Sequence, residues 1–177
     1  MVTKTEWISK ALETLRQGGA DSVKVERLAK SLGVTKGSFY WHFKDRQDLL
    51  VQTLGHWNRL QAAHLDERKL TAFESPQDRL RELLDFISSK DARHDLSIRL
   101  WAQQESWVQD KVEHIDRARL DYCEDIFLRI GFDDEEAQLR ARLVYFYQVA
   151  EQNVFILDSP ELRKRLDKRH YYLLIRR

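Results

Sequence analysis

The sequence is poor in the residues that interrupt helices. Its 177 residues include two prolines and six glycines. Because proline and glycine mark most turns, their scarcity predicts few turns and long helices. No segment has the alternating apolar period of a strand, and no internal repeat is visible. The composition and periodicity therefore predict an all-α globular protein.

Cysteine and long apolar runs are also scarce. Cys123 is the one cysteine, which excludes an internal disulfide framework and indicates a reducing compartment. No run approaches the roughly 18 apolar residues of a membrane span. The first ten residues lack the apolar core of an export signal. We expect a cytoplasmic protein that makes no use of a membrane.

Signatures of catalysis and of metal binding are missing as well. The sequence has no phosphate-cradling Gly-rich loop, no nucleophile elbow and no zinc-protease helix motif. Its six histidines include no pair spaced to share one helix face, and Cys123 has no cysteine partner. We expect a protein that is not an enzyme and has no metal site or cofactor.

Charge is balanced over the whole chain but not along it. Residues 1–46 contain nine Lys or Arg and five Asp or Glu, a net charge of +4, within a chain of net charge +1. The remaining residues therefore carry a net charge of −3. A basic N-terminal end is typical of contact with a polyanion, although a solvated basic face would give the same asymmetry.

The most informative stretch is residues 33–46, GVTKGSFYWHFKDR. Gly33 ends an apolar helix pattern over residues 24–32, because glycine adopts left-handed geometry without strain. Thr35 is predicted to cap a second helix over residues 35–43 with its hydroxyl group. Two short helices joined by a tight turn form a helix-turn-helix arrangement.

The composition of this second helix suits a ligand better than a purely structural role. Gly37 costs about 1 kcal/mol relative to Ala inside a helix, but it lets another molecule approach the backbone closely. Thr35, Lys36 and Ser38 place donors at the N-terminal end, where an anion is favoured. Further donors come from Tyr40, Trp41, His42, Lys44 and Arg46. Phosphate oxygens accept such donors, whereas an aromatic helix pair without a ligand is the alternative interpretation.

The pattern Leu28-Ala29, then residues 32–44, then Leu49 resembles the TetR family of bacterial transcriptional regulators. This resemblance covers roughly the first third of the chain. It implies that Thr35, Lys36 and Gly37 reach base edges. It also implies that a second group mostly grips the DNA backbone, namely Ser38, Tyr40, Trp41, His42 and Lys44.

Two positions depart from the family pattern. Lys24 stands near the place where the family usually has a Ser or Thr cap, so Lys24 is a candidate phosphate contact. Arg46 replaces the usual Lys of the family and keeps its charge. Both residues complete the predicted DNA-binding set.

Periodicity and capping signals predict further helices. They are expected over residues 3–17, 45–65, 76 onward after a Ser75 cap, 95 onward after an Asp95 cap, 107–130, 134–157 and 161–175. Residues 1–46 are predicted to form the three-helix DNA-binding domain. Residues 47–177 are predicted to form a helical ligand-binding and dimerisation domain, with helix 45–65 connecting the two.

The second domain carries two further predictions. The helix over residues 134–157 is apolar on two sides, which favours a partner, and the resemblance implies a homodimer through the last two helices. An effector cavity for a small apolar or aromatic molecule is predicted on analogy, while core packing is the alternative. Its candidate residues are Phe86, Trp101, Trp107, Tyr122, Tyr147, Gln148 and Glu151.

Together these features predict a sequence-specific DNA-binding transcriptional regulator. The resemblance favours a ligand-responsive repressor that binds a palindromic operator as a dimer. The alternative is a helical adaptor, or a DNA-binding protein without a small-molecule effector.

Overall fold

A computed structural model describes residues 2–70, 75–89, 93–151 and 158–176. The described residues form α-helices and one short 3₁₀ turn at Ala20–Ser22 and contain no strand, which confirms the predicted all-α class. The first four helices are α1 (Lys4–Gly18), α2 (Val25–Ser31), α3 (Lys36–Phe39) and α4 (Arg46–Leu70). The others are α5 (Pro76–Ser89), α6 (Arg93–Ala102), α7 (Ser106–Ile130), α8 (Asp134–Glu151) and α9 (Pro160–Ile175).

Several predicted helix ends coincide with the expected capping groups. Asp45 Oδ1 accepts a hydrogen bond from the backbone N–H of Asp48 at 2.8 Å, at the start of α4. Ser75 Oγ accepts one from the N–H of Asp78 at 3.1 Å, at the start of α5. Gly131 follows α7 with a φ of 101°, a conformation that glycine adopts without strain. Local chemistry therefore sets these boundaries.

Four predicted boundaries need correction or fall outside the described residues. α4 continues to Leu70 instead of ending near residue 65, because Glu, Arg, Lys and Leu are good helix formers and no glycine or proline follows before Pro76. α6 begins at Arg93, so Asp95 is not its cap. α3 is shorter than predicted and gives way to a turn after Phe39. The last part of the predicted helix 134–157, residues 152–157, lies outside the described residues.

The chain forms two compact units, which we call unit 1 and unit 2. Unit 1 comprises Met1–Asp66 and Ala92–Ile115, and unit 2 comprises Glu67–Asp91 and Asp116–Arg177. Unit 1 extends beyond the predicted N-terminal domain because α6 packs on α1. Ser97 Oγ donates a hydrogen bond to the carbonyl of Arg16 at 3.1 Å. The functional boundary at residue 46 stays a prediction, since compactness and function are separate properties.

Unit 1 has one continuous apolar core. Trp7 and Leu15 of α1 are fully buried in it together with Phe39 of α3, Leu49 of α4 and Ile98 of α6. Burial of such large side chains is the main stabilising contribution to a domain of this size. The core therefore anchors α3 from beneath.

In unit 2, α9 is tied to α8 by Arg140. Its guanidinium donates to the carbonyl of Leu174 at 2.7 Å and lies 4.0 Å from the centre of the Phe132 ring. Tyr171 and Leu174 are the buried residues of α9. Among the described helices, we find none with the length and apolar character needed to cross a membrane.

Candidate nucleic-acid interface

The turn between α2 and α3 is fixed by backbone hydrogen bonds. Gly33 has a φ of 68°, in the left-handed region. Its N–H donates to the carbonyl of Lys30 at 3.2 Å, and the N–H of Val34 donates to the carbonyl of Ala29 at 3.0 Å. This pair of bonds is the Schellman motif that ends a helix at glycine. It confirms the predicted helix stop and sets the angle at which α3 leaves α2.

Aromatic rings support α3 from below. Phe39 is fully buried; its ring centre lies 5.3 Å from that of Trp7 in an edge-to-face arrangement and 5.2 Å from that of Phe43 in a stacked one. Such aromatic pairs contribute beyond their buried area. Trp7 is therefore a core residue.

The opposite side of α3 and the turn after it are exposed. Tyr40 is 55% and Trp41 is 72% exposed. Thr35 precedes α3 but its side chain accepts no capping hydrogen bond, so the predicted hydroxyl cap is wrong. The N–H of Ser38 instead donates to the backbone carbonyl of Thr35 at 3.1 Å. This backbone hydrogen bond takes the place of the cap, and the Thr35 hydroxyl makes no capping hydrogen bond.

Gly37 is not required by the protein's own packing. Its φ is outside the left-handed region. A Cβ atom added to Gly37 would lie 3.7 Å from Thr35 Oγ1, an ordinary van der Waals distance, and meet no other neighbour. The lack of a side chain therefore has no internal explanation, and it leaves the exposed backbone of α3 open to close approach by another molecule.

Lys36 forms an ion pair across the two helices. Its Nζ lies 2.5 Å from Glu26 Oε1, and both side chains are more than half exposed. The hydrogen bond with Glu26 raises the pKa of Lys36, and the same bond lowers the pKa of Glu26. Lys24, the exposed residue before α2, also lowers the pKa of Glu26 through its charge. A carboxylate thus lies among the predicted DNA-binding cations.

Two predicted phosphate contacts have internal partners. His42 Nε2 lies 3.0 Å from the carbonyl oxygen of Val2, so this nitrogen donates and holds the N-terminal segment. Arg46 donates from Nε to the carbonyl of Val23 at 2.7 Å and from one terminal nitrogen to the carbonyl of Ala20 at 2.6 Å. Arg46 therefore clamps the segment between α1 and α2.

Lys44 contrasts with Arg46 two positions later. Its backbone N–H donates to Asp48 Oδ2 at 3.0 Å, whereas its side chain is exposed. The Asp48 carboxylate thus accepts from the residue before the Asp45 cap, while the Asp48 N–H donates to Asp45 itself. This arrangement orders the backbone while the ammonium group of Lys44 reaches solvent.

The predicted effector residues do not form one cluster. Trp101 and Trp107 belong to unit 1, where their rings meet edge to face at 5.1 Å. Tyr122 is buried in unit 2, and its hydroxyl accepts a hydrogen bond from Arg79 Nε at 3.3 Å. Phe86 is half-buried on α5. None of these four residues lines the cleft that the structure shows in unit 2.

That cleft lies between α5, α8 and α9 and has a volume of about 590 Å³. Its lining includes the predicted residues Tyr147, Gln148 and Glu151, and apolar side chains such as Leu84 and Ile87. A cavity of this size and mixed character can hold a small organic molecule. The structure therefore brings together three of the seven predicted effector residues.

The cleft contains an aromatic pair and an ion pair. The rings of Tyr147 and His170 have centres 4.6 Å apart. Burial raises the pKa of Tyr147 and lowers the pKa of His170, because each ring loses water around its charged form. Glu151 Oε1 lies 2.6 Å from a terminal nitrogen of Arg163. This ion pair therefore holds two of the charged side chains that line the cleft.

Cys123 lies outside the cleft and is buried. Burial raises the pKa of its thiol to about 12. Because the thiolate is the reactive form, this favours a packing role over redox sensing.

Apolar side chains are exposed in rows on both α8 and α9. Leu139, Leu143 and Phe146 are each more than half exposed, at intervals of four and three residues along α8. On α9, Leu166 is 42% and Leu173 is 69% exposed. The spacing places each set on one helix face. Large apolar residues exposed in this pattern are typical of a protein interface.

Sequence reasoning missed Glu26 and the internal role of Arg46. Glu26 lies ten residues from Lys36, and Arg46 lies 23 residues from Val23. Neither separation is a helical repeat, so no periodic signal connects these partners. The angle between α2 and α3 brings Lys36 to Glu26, and the course of residues 20–23 brings their carbonyls to Arg46.

Known proteins resemble this chain mainly in its N-terminal part. Residues 8–53 match the family model of bacterial regulatory proteins, tetR family. The HTH-type transcriptional regulator AcrR of Shigella flexneri is 43% identical over 50 residues, which are 28% of this chain and 23% of AcrR. The transcriptional regulator AcuR of Cereibacter sphaeroides is 32% identical over 87 residues, 49% of this chain and 40% of AcuR. The matches thus span less than half of either curated relative.

The fold similarity covers more of the chain. The crystal structure of a transcriptional regulator of the TetR/AcrR family from Thermobifida fusca has a TM-score of 0.70 at 16% identity. The alignment covers 98% of both chains. At this level of identity, the similarity establishes the helical architecture.

Proposed function

We propose that this chain, whose residues 8–53 match the model of the tetR family of bacterial regulatory proteins, is a DNA-binding transcriptional regulator of that family. We propose further that it represses transcription as a dimer on a palindromic operator. The observation that carries this proposal is the exposed edge of α3, where Gly37 is open and Trp41 is 72% exposed above a buried aromatic base. Members of the family are regulators of transcription, and we propose no catalytic activity.

The proposed contacts divide by chemistry. Thr35, Lys36 and Gly37 stand at the start of α3, where a recognition helix meets base edges in the major groove. The proposed contacts to the DNA backbone are Lys24, Ser38, Tyr40, Trp41 and Lys44. These residues offer hydroxyl, indole and ammonium donors, which phosphate oxygens accept.

His42 and Arg46 have a different place in the proposal. Each already donates to a backbone carbonyl of unit 1. We therefore propose that they position the interface, His42 through the N-terminal segment and Arg46 through the segment after α1. Any phosphate contact they make is secondary to this role.

The exposed apolar rows of α8 and α9 support a homodimer. Leu143 and Phe146 are large, exposed and on one face, as are Leu166 and Leu173 on α9. Isologous pairing of two such faces would bury all four side chains twice. The two-fold symmetry of a dimer is also what a palindromic operator requires.

The cleft of unit 2 supports a ligand-responsive regulator. We propose that it binds a small apolar or aromatic effector beside Tyr147, Gln148 and Glu151. An effector changes operator affinity only as far as it binds the DNA-competent and incompetent states unequally. Because the proposed target is bacterial DNA, we propose a cytoplasmic location.

Selection from a pool of random duplexes tests the function. The full-length protein should retain sequences with two inverted half-sites, with centres about 34 Å apart or a multiple of that distance. Retention without sequence preference, or none at moderate salt, would favour the helical adaptor.

Matched substitutions on α8 test the dimer. Leu143→Asp should yield monomers in sedimentation experiments, whereas Gln138→Asp, which adds the same charge off the apolar row, should remain dimeric. If Leu143→Asp stays dimeric, the proposed interface is wrong.

Filling the cleft tests the effector site. Calorimetry with small aromatic and apolar compounds should find one that binds and changes operator affinity. Gln148→Trp should lose this binding, while Gln138→Trp should keep it. A compound that binds both variants equally would act elsewhere.

A further inference from the structure

One carboxylate lies inside the proposed DNA-binding surface. Glu26, near the start of α2, is paired with Lys36 at 2.5 Å and feels the charge of Lys24. Lys36 in turn lies close enough to Tyr40 for that residue to affect its pKa. The ion pair is therefore surrounded by residues proposed to touch DNA.

Stability does not explain the pair. The side chains of Glu26 and Lys36 are 64% and 51% exposed. Exposed ion pairs contribute little net stability, because water screens them and ordering two long side chains costs entropy. A carboxylate here also repels phosphate. The Glu26–Lys36 pair is therefore expected to affect DNA binding more than stability.

Non-specific and specific DNA offer different partners to the side chains of Lys36 and Glu26. On a non-specific duplex, Lys36 would meet phosphates, and an ammonium group already neutralised by Glu26 would release fewer counterions there. A G·C pair in the major groove offers O6 and N7 of guanine to Lys36. The same base pair presents the N4 amino donor of cytosine, which a carboxylate accepts.

From this chemistry, and resting on the proposed DNA-binding function, we propose that Glu26 is a specificity-determining residue. On non-specific DNA, Glu26 stays paired with Lys36 and neutralises its charge. On the operator, guanine replaces Glu26 as the partner of Lys36, and cytosine replaces Lys36 as the partner of Glu26. Glu26 thus lowers the affinity for wrong sequences more than the affinity for the operator.

Salt-dependent binding of four variants tests this inference. The variants are Glu26→Gln, Lys36→Gln, the double variant, and Glu13→Gln as the matched control. Glu13 forms a comparable surface pair with Lys10 at 2.9 Å on α1. Each protein is titrated between 50 and 200 mM salt with two duplexes: the sequence retained by the wild type and a scrambled version.

Glu26→Gln should bind the scrambled duplex more tightly at low salt. Its salt slope on that duplex should steepen by about 0.9, which makes the loss of affinity between 50 and 200 mM salt about three- to fourfold larger than in the wild type. The retained duplex should gain less, so the specificity ratio should fall. The steepening should disappear when Lys36 is also Gln, and Glu13→Gln should match the wild type.

Three outcomes would overturn the inference: an unchanged slope in Glu26→Gln, an equal change on both duplexes, or the same change in Glu13→Gln. Persistence of the steepening without Lys36 would also overturn it, since the effect would then be general repulsion. None of these outcomes removes selective binding by the wild type. A wild type that selects no sequence instead contradicts the proposed function itself.

Discussion

The two units differ in how their candidate functional residues are held. In unit 1, the exposed edge of α3 lies on a buried aromatic base in which Phe39 touches both Trp7 and Phe43. The predicted effector residues are instead divided between the two units, and only Tyr147, Gln148 and Glu151 line the cleft of unit 2. A local motif thus predicts a surface better than residue type predicts a cavity.

This difference has a physical origin. The proposed DNA-binding edge is formed mainly by the consecutive residues 33–46, whose geometry depends on a glycine stop and local hydrogen bonds. A cavity depends on where helices distant in sequence separate from one another. Aromatic residues such as Trp101 and Tyr122 fill such spaces as readily as they line them.

The largest effect should come from removing the base beneath α3. Phe39→Ala should lower the free energy of unfolding by about 3–5 kcal/mol, because it leaves a cavity where a ring was fully buried. The neighbouring Tyr40→Ala should change it by about 0.5 kcal/mol or less, since that side chain is 55% exposed. Chemical denaturation measures both. Equal losses would show that exposed and buried faces of α3 are assigned wrongly.

A second contrast separates Arg46 from Lys44. Arg46→Ala should cost about 1.5–3 kcal/mol of stability, because two charge-assisted hydrogen bonds to backbone carbonyls are lost. Lys44→Ala should leave stability unchanged and reduce the salt slope of DNA binding by about one. A stable Arg46→Ala with a reduced slope would restore Arg46 as a phosphate contact.

Gly37→Ala should weaken DNA binding without weakening the fold. The added methyl group fits the free protein, and alanine favours a helix by up to about 1 kcal/mol. Gly55→Ala is the matched control on α4, where the methyl group would also meet only an ordinary contact. Binding titrations and thermal melts measure both properties. A Gly37→Ala protein with full operator affinity would mean that DNA does not approach this backbone.

The smallest effect concerns His170 in the cleft of unit 2. Burial lowers the pKa of His170, so the folded protein binds this proton more weakly than the unfolded chain, whose histidine pKa is about 6.5. The free energy of unfolding is therefore highest above pH 6.5 and declines as the pH falls from that value toward the lower pKa of His170 in the folded protein.

Thermal melts between pH 7.5 and 5.5 measure this effect. His170→Asn should flatten the dependence of stability on pH, whereas His114→Asn, at an exposed position of α7, should not. An identical pH dependence in His170→Asn and the wild type would contradict the assigned burial.

Much of the fold follows from local signals in the sequence. Gly33 and Gly131 end helices, and Ser75 and Asp45 begin them, because each supplies a conformation or acceptor that the backbone needs. The ends of α4 and α6 could not be predicted in this way. Charged helix formers carry α4 to Leu70 although they have no apolar period.

The candidate site was predictable in part. The exposed position of Trp41 and the open backbone at Gly37 agree with a pattern that placed donors and a glycine on one short helix. The partners of Lys36 and Arg46 were not predictable. Those contacts depend on the angle between α2 and α3 and on the segment at residues 20–23, which no residue count along the chain encodes.

Sequence selection with Lys36→Ala beside the wild type tests the central claim most directly. The wild type should retain a palindromic sequence. Lys36→Ala should retain sequences that have lost their preference at particular base pairs in each half-site, with the other positions kept. Identical preferences in both proteins would show that the start of α3 does not meet base edges, and a wild type without preference would remove the proposed function.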